Sequence, residues 1–260
     1  MKLHFYKYQG TGNDFVIIDN RKGDMKPLHH EQVKKICNRK FGIGADGLMI
    51  MNHLEGYDFE MLYFNADGFP GSMCGNGGRC MVKFAGDMGI NAYTYRFMAV
   101  DGEHLAEIDE QGWIKLKMKE VNTVIYENGH AVLDTGSPHL VKRVHDIENV
   151  DVVETGRHIR NSKEFVEKGI NVNFVEALDD DTIFVRTYER GVEDETLSCG
   201  TGVTAASLIS AHHERGFNRI EVKTPGGRLS VEFEKMSDHQ FQNIWLCGPA
   251  TRAFNGEIDI

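Results

Sequence analysis

The chain repeats itself, and this constrains its fold more than any other feature. Displaced by 124 residues, GNDFV (12–16) lies over GSPHL (136–140), and YFNADG (63–68) lies over TYERGV (187–192). Displaced by 125, CGNG (74–77) lies over CGTG (199–202), and one extra residue within ERGVEDETLSC accounts for the step. A Gly-rich tetrapeptide can recur by chance, but upstream turns matching in the same order point to an internal duplication. Two similar α/β halves follow, each needing its own core. A 260-residue chain that is 41% hydrophobic can supply both. We place one half at 1–119 plus 247–260 and the other at 120–246.

Strand signals dominate both halves. DFVIID (14–19) is a short buried-type apolar run, and WIKLKMK (113–119) alternates, with Ile114, Leu116 and Met118 on one face and lysines on the other. INVNFVEAL (170–178) and TIFVRTY (182–188) read the same way. RIEVKTPGGRLSVEFE (219–234) reads as a hairpin turning at Pro225-Gly226. Helices are fewer. LHHEQVKKICNRKF (28–41) sets Val33, Ile36 and Cys37 on one stripe. A second helix follows CGNGGR, with Met81, Phe84, Ala85 and Met88 at helical spacing and Gly89 closing it. A third, VTAASLISAHHERG (203–216), follows CGTG and is small and apolar on nearly every side, the pattern of a centrally buried helix. Cys74 and Cys199 thus each stand just before a helix N-terminus.

Five cysteines (Cys37, Cys74, Cys80, Cys199 and Cys247) are an odd, scattered set in a chain too large to need staples, which suits free thiols in a reducing compartment. Cys37 and Cys247 read as buried small hydrophobes, and Cys80, six residues beyond Cys74, as helix packing. A zinc site is disfavoured, because Cys74 and Cys80 lack a second ligand pair and the adjacent His212 and His213 diverge on a helix. No Cys-x-x-Cys redox pair is present. What remains is acid–base chemistry. A helix N-terminus carries positive partial charge and N–H groups without helical partners, which lower a thiol's pKa and bind a carboxylate. Glycines there let a substrate approach the backbone. Two such ends gripping one α-carboxylate, with a sulfur on each side of the α-carbon, form the layout for inverting a stereocentre. One thiolate removes the α-proton, and the other thiol delivers a proton to the opposite face. The N–H donors stabilise the charge that gathers on the carboxylate.

The net charge of −10 argues against general nucleic-acid binding. No apolar run approaches the ~20 residues of a membrane span. The opening MKLHFYKYQG lacks the apolar region of a signal peptide, so a cytoplasmic location is expected.

GTGNDFVIID, FGIGADG, FNADG, MCGNGGRC, GSPH, YERG, CGTG and the closing GPATRAFNGEI together resemble diaminopimelate epimerase, and the resemblance covers essentially the whole chain. It implies an α/β (α+β) fold of two pseudo-symmetric halves, each a curled, mostly antiparallel or mixed sheet around a central helix. It further implies a cytosolic homodimer that interconverts LL- and meso-diaminopimelate in lysine biosynthesis, without pyridoxal phosphate, other cofactor or metal. Carried over by motif, Cys74 and Cys199 are the acid/base pair. Gly75, Asn76, Gly200 and Thr201 hold the α-carboxylate. Asn13, Asn65, Ser137 and Asn171 are polar ligands of the substrate. Glu189 and Arg190 take its distal amino-acid group, and His139 and Glu189 help set the protonation of the thiols.

The chain departs from the family pattern at three places. Ser137 stands where Asn is frequent, and its shorter side chain is expected to reach substrate only through water. Gly47 stands where some members carry Gln. The extra residue lies in an acidic stretch, Glu193, Asp194 and Glu195, before Cys199. The alternatives are another two-cysteine racemase of the same fold, acting on proline, hydroxyproline or histidine, and a non-catalytic amino-acid-binding module. The paired Glu189-Arg190 opposes the first, and two reactive thiols oppose the second.

Overall fold

The computed structural model describes residues 2–71, 73–212 and 214–260. Ser72, within SMCGNGGRC, and His213, of the histidine pair, lie outside the described residues. The chain divides into two compact units, Met1–Leu116 with Pro249–Ile260, and Lys117–Gly248.

The first unit opens with β1 (Lys2–Gly10) and β2 (Asn13–Asn20), an antiparallel hairpin. Its two turn residues, Thr11 (φ 50°) and Gly12 (φ 86°), both have positive φ, the geometry of a tight turn matched to strand twist. For β-branched Thr11 that conformation is strained. Helix α1 (His30–Cys37) carries the chain to β3 (Gly47–Asn52), parallel to β2, and β4 (Phe59–Asn65) returns antiparallel. After α2 (Gly75–Asp87), β5 (Thr94–Ala99) pairs parallel to β4, and β6 (Gly102–Ile108) and β7 (Ile114–Lys117) follow antiparallel.

The second unit contains β8 (Val124–Glu127), β9 (His130–Asp134), β10 (Pro138–Arg143), α3 (Val152–Arg160), β11 (Asn171–Ala177), β12 (Thr182–Glu189) and β13 (Asp194–Thr196), then α4 (Gly200–Ile209), β14 (Gly216–Thr224), β15 (Gly227–Ser237) and β16 (Gln240–Gly248). Its pairings run parallel for β10–β11, antiparallel for β11–β12, parallel for β12–β14, then antiparallel for β14–β15 and β15–β16. This repeats the sequence of the first unit. The register repeats as well: Phe15 faces Gly47 across β2–β3, and His139 faces Asn171 across β10–β11. The C-terminal β17 (Thr251–Asp259) returns to pair antiparallel with β1. The fold is therefore α+β, with each unit a curled mixed sheet around a helix.

In the second unit that helix is α4. Val203, Ala205, Ala206, Leu208 and Ile209 are buried among Val141, Val175, Val185, Ile220, Val231 and Phe241 from the surrounding strands. Each such large side chain contributes about 1.5–3 kcal/mol as an upper bound. In the first unit α2 packs on β1, β2, β3, β6 and β17 and buries Met81, Val82, Phe84 and Ala85.

Helix ends differ from the sequence reading. Helix α2 begins at Gly75, inside the glycine run, and Gly89 (φ 88°) follows its cap as expected. Helix α4 stops at Ile209 instead of Gly216, which opens β14. Its apolar residues end there, and distant side chains take the carbonyls that follow. Arg143 donates to Ile209 O (2.7 Å) and Lys235 to His212 O (2.8 Å). Helix α1 stops at Cys37, short of Phe41, and Asn38 Oδ1 accepts from the N–H groups of Lys40 and Phe41 (2.9 Å each), closing a turn. Among the described residues no helix is long and apolar enough to cross a membrane.

Candidate active site

In the first unit Cys74 is the N-cap of α2, with extended backbone (φ −111°, ψ 127°), and its carbonyl accepts from Gly78 N (2.8 Å). The glycines of this turn leave room for close neighbours. A β-carbon on Gly78 would overlap Met73, and one on Gly77 would press on Met49 Sδ and Phe15. The first-turn N–H groups, including those of Gly75 and Asn76, have no partner within the helix. Half-buried Cys74 places Sγ 3.5 Å from Asn13 Oδ1, and buried Asn76 places Nδ2 3.5 Å from the same oxygen. The orientation of both amides is fixed by charged neighbours. Asp46 Oδ2, which can only accept, takes Asn13 Nδ2 at 2.7 Å. Arg79, which can only donate, gives to Asn76 Oδ1 at 3.0 Å. Arg79 lies fully buried in α2 and also donates to the hydroxyl of Thr11 (3.2 Å), the strained turn residue.

Asp46 belongs to a wider cluster. Arg39 bridges Asp46 Oδ1 (2.8 Å) and Asp14 Oδ1 (2.6 Å), and buried Lys7 pairs with Asp14 (2.7 Å) and with the Gly44 carbonyl. Partial burial alone would raise the Asp14 carboxyl. Hydrogen bonds from Arg39 and Lys7 outweigh it and hold the group down at about 2. Asn65 lies apart from this network, exposed at the end of β4 opposite Gly47. Cys80 is fully buried, and burial pushes its thiol up to about 12; for Cys37 the same cause gives about 11.

The second unit repeats the arrangement with different chemistry around it. Cys199 is the N-cap of α4 (φ −108°, ψ 111°), its carbonyl accepts from Val203 N (2.8 Å), and Sγ lies 3.5 Å from Thr201 Oγ1. Gly200 is buried, and Thr201 is fixed through its own carbonyl, which accepts from Thr135 Oγ1 (2.8 Å). His139 is fully buried on β10. Its Nδ1 accepts from Asn173 Nδ2 (3.1 Å), which assigns the ring proton to Nε2. Burial lowers its pKa to about 3, so the ring is neutral at physiological pH and carries its proton on Nε2. That buried nitrogen has no hydrogen-bond partner among the described residues.

Ser137, Asn171 and Arg190 form one cluster. Asn171 Nδ2 donates to Ser137 Oγ (3.0 Å) and Asn171 Oδ1 accepts from Arg190 N (2.9 Å). The Arg190 guanidinium donates to Lys168 O (2.8 Å) and to Ser137 Oγ (3.4 Å). Ser137 therefore orients Asn171 and Arg190 directly. Glu189, half-buried, closes β12 beside Arg190. The acidic stretch is ordered by specific partners. Glu195 pairs bidentately with Arg186 (2.7 Å to each oxygen), and Glu193 (φ 60°) accepts from Tyr188 Oη (2.9 Å) and Gly191 N (3.0 Å). His212, the described member of the histidine pair, pairs with Asp181 (2.7 Å).

Sequence reasoning missed several contributors. Asn173 sets the His139 tautomer, accepts from Thr187 Oγ1 (2.9 Å), and would overlap any β-carbon at Gly202. The only signal was its place two residues after Asn171, on the same face of the strand. Asp46 and Arg79 sit inside the quoted motifs, but their roles depend on contacts with Asn13 and Asn76. At Gly47 the Tyr63 ring occupies the space a side chain would need, and a β-carbon there would lie 2.5 Å from Tyr63 Cε2.

The family model described as diaminopimelate epimerase matches residues 5–133 and again 131–252. The chain is 45% identical to the diaminopimelate epimerase of Flavobacterium psychrophilum, covering 99% of this chain and 100% of that protein. It is 44% identical to that of Chlorobaculum tepidum, covering 96% and 99%. Among solved structures, a PhzF-family phenazine biosynthesis protein of Bacillus anthracis superposes with a TM-score of 0.76 over the full length of both chains at 14% identity. A hydroxyproline epimerase of Agrobacterium vitis superposes with 0.69, covering 99% of this chain and 92% of that one, at 11% identity. These two likenesses bear on the fold. The family model and the sequence relatives show that the chain belongs to the diaminopimelate epimerase family and is an isomerase of lysine biosynthesis.

Proposed function

We propose that this protein interconverts LL- and meso-diaminopimelate by a two-base mechanism in which Cys74 and Cys199 are the acid/base pair. The observation that carries the reading is the repeated N-cap cysteine. In each unit a thiol stands at the start of a buried, glycine-led helix whose first N–H groups have no helical acceptor. Those N–H groups, of Gly75 and Asn76 and of Gly200 and Thr201, bind the α-carboxylate. One cysteine, as thiolate, takes the α-proton, and the electron pair of the broken C–H bond moves toward the carboxylate, where the N–H donors stabilise it. The other cysteine, as thiol, returns a proton to the opposite face and is left as thiolate. The pair thus ends with its roles exchanged and must be returned to its starting state before the next turnover in the same direction.

His139 enters as a neutral donor, since its buried ring does not hold a second proton at physiological pH. Asn171, oriented by Ser137, and Asn13 and Asn65 bind the distal part of the substrate. Glu189 takes the distal ammonium and Arg190 the distal carboxylate. No cofactor or metal is required in this scheme, and a cytoplasmic homodimer is the expected state.

The test is α-hydrogen exchange in deuterium oxide with LL-diaminopimelate, followed by mass spectrometry and chiral separation. Wild type is expected to incorporate deuterium while forming the meso isomer. Cys74→Ala and Cys199→Ala are each expected to abolish this, with Cys80→Ala retaining most activity. Exchange on proline or hydroxyproline but none on diaminopimelate would overturn the substrate. Mild oxidation is expected to link Cys74 to Cys199, and linkage of another pair would contradict a shared α-carbon.

A further inference from the structure

We propose that Asp46 is a positioning residue for the reaction: it fixes the Asn13 carboxamide so that Oδ1 faces Sγ of Cys74, and thereby holds Cys74 as the protonated thiol in the free enzyme. The proposal rests on the reading of Cys74 as an acid/base residue and adds a member to that site.

The argument is one of hydrogen-bond polarity. A carboxylate accepts and never donates, so the 2.7 Å contact from Asp46 Oδ2 must be to the Nδ2 of Asn13. The Asn13 oxygen is therefore turned to the other side, where it meets Cys74 Sγ and Asn76 Nδ2, each at 3.5 Å. Asn76 cannot reverse this. Its oxygen is claimed by the buried Arg79 guanidinium at 3.0 Å, so it presents Nδ2 to Asn13. A carbonyl oxygen beside a sulfur favours S–H over S⁻, opposing the pull of the helix N-terminus toward thiolate.

Asp46 is itself held firmly. Its Oδ2 also accepts from Asp14 N (3.2 Å), its backbone N–H donates to Asp14 O (2.9 Å), and its Oδ1 takes Arg39 (2.8 Å). Cys80 on α2 couples electrostatically to Cys74, and the charged groups held around Asn76 and Asn13 include Arg79 on α2, Asp14 on β2 with Lys7 on β1, and Arg39 beyond α1. In the second unit Cys199 faces a hydroxyl, Thr201 Oγ1, which can donate as well as accept. The two sulfurs therefore differ in the partner each is offered.

The test needs no substrate, so it stands whether or not diaminopimelate is turned over. Native enzyme is alkylated with iodoacetamide between pH 6.5 and 9, and the rates at Cys74 and Cys199 are followed by peptide mass spectrometry. Asp46→Ala removes the 2.7 Å bond that holds Asn13 Nδ2 and leaves only the long 3.5 Å contact from Asn76 to keep the oxygen in place, so Asn13 can turn Nδ2 to the sulfur. It is expected to raise the Cys74 rate at pH 7.5 about three- to tenfold, the worth of one ordinary hydrogen bond, and to leave Cys199 unchanged. Asp46→Asn separates orientation from charge. Two donors, Asn13 Nδ2 and Asp14 N, converge on the Oδ2 position against one from Arg39, so an amide keeps its oxygen toward Asn13 and the rate stays within about twofold of wild type. Asn13→Ala leaves the charged cluster intact and is expected to give the same rise, with no further change on adding Asp46→Ala. An unaltered Cys74 rate in Asp46→Ala, an Asp46→Asn rate equal to that of Asp46→Ala, or an Asp46 effect that persists without Asn13 would each overturn the proposal.

Discussion

His139 stakes stability on remaining neutral, and this can be measured. In the unfolded chain its imidazole binds a proton near 6.5, whereas in the folded protein burial lowers that value to about 3. Between these two values the unfolded state holds more protons. The group's contribution is therefore complete above pH 6.5 and is lost progressively as pH falls. At ~1.4 kcal/mol per pH unit, about 2 kcal/mol is gone at pH 5 and about 4 kcal/mol by pH 3. Carboxylates titrate in the same range, so the measurement is a difference of differences. Wild type and His139→Asn, whose Oδ1 can still accept from Asn173, are unfolded with urea at pH 8, 6 and 5 and followed by circular dichroism. The wild-type free energy is expected to fall by about 2 kcal/mol more than that of the variant between pH 8 and pH 5. An equal fall in both proteins would falsify the assignment of a buried, neutral His139.

Three further expectations follow from individual contacts. Gly202→Ala would drive a β-carbon into Asn173 Oδ1 and so disturb the residue that orients His139. It is expected to cost about 1–3 kcal/mol and to lower the thermal midpoint by several degrees, and an unchanged midpoint refutes it. Cys80 and Cys37, pushed up to about 12 and about 11 by burial, are ionised at pH 8 to only about one part in ten thousand and one in a thousand. Both are expected to resist iodoacetamide in native protein and to react fully once unfolded, and native labelling of Cys80 as fast as Cys74 would contradict the structure. Arg190→Lys keeps the charge but loses the planar fork that Ser137 and Lys168 O orient. The Michaelis constant for diaminopimelate is expected to rise about tenfold or more with kcat less affected, and a loss in kcat alone would argue that Arg190 does not bind substrate.

The chain's local patterns carried a great deal. The alternation of WIKLKMK, the apolar runs of DFVIID and INVNFV, and the Pro225-Gly226 turn each specify an element from neighbouring residues, and each forms where expected. Glycine-led helix starts at Cys74 and Cys199 were readable for the same reason, since cap geometry and the helical stripe are both short-range. The duplication fixed the architecture further, because two copies of one pattern have to build the same pairing order. Helix ends were less legible. Helix α4 stops at Ile209 because Arg143 and Lys235, 66 and 23 residues from the carbonyls they meet, claim those acceptors.

The polarity of the candidate site was decided only by the tertiary structure. That His139 is neutral depends on its depth and on Asn173, 34 residues away. That Asn13 turns its oxygen to Cys74 depends on Asp46, 33 residues on, and that Asn76 turns its nitrogen to Asn13 depends on the burial of Arg79. Ser137, read from sequence as a shortened ligand, also orients Asn171 and Arg190. Sequence determined which residue types stand at the helix ends, because those choices are local. The proton each one carries and the direction each amide faces are set by burial and by partners distant along the chain, which only the folded structure brings within hydrogen-bonding distance.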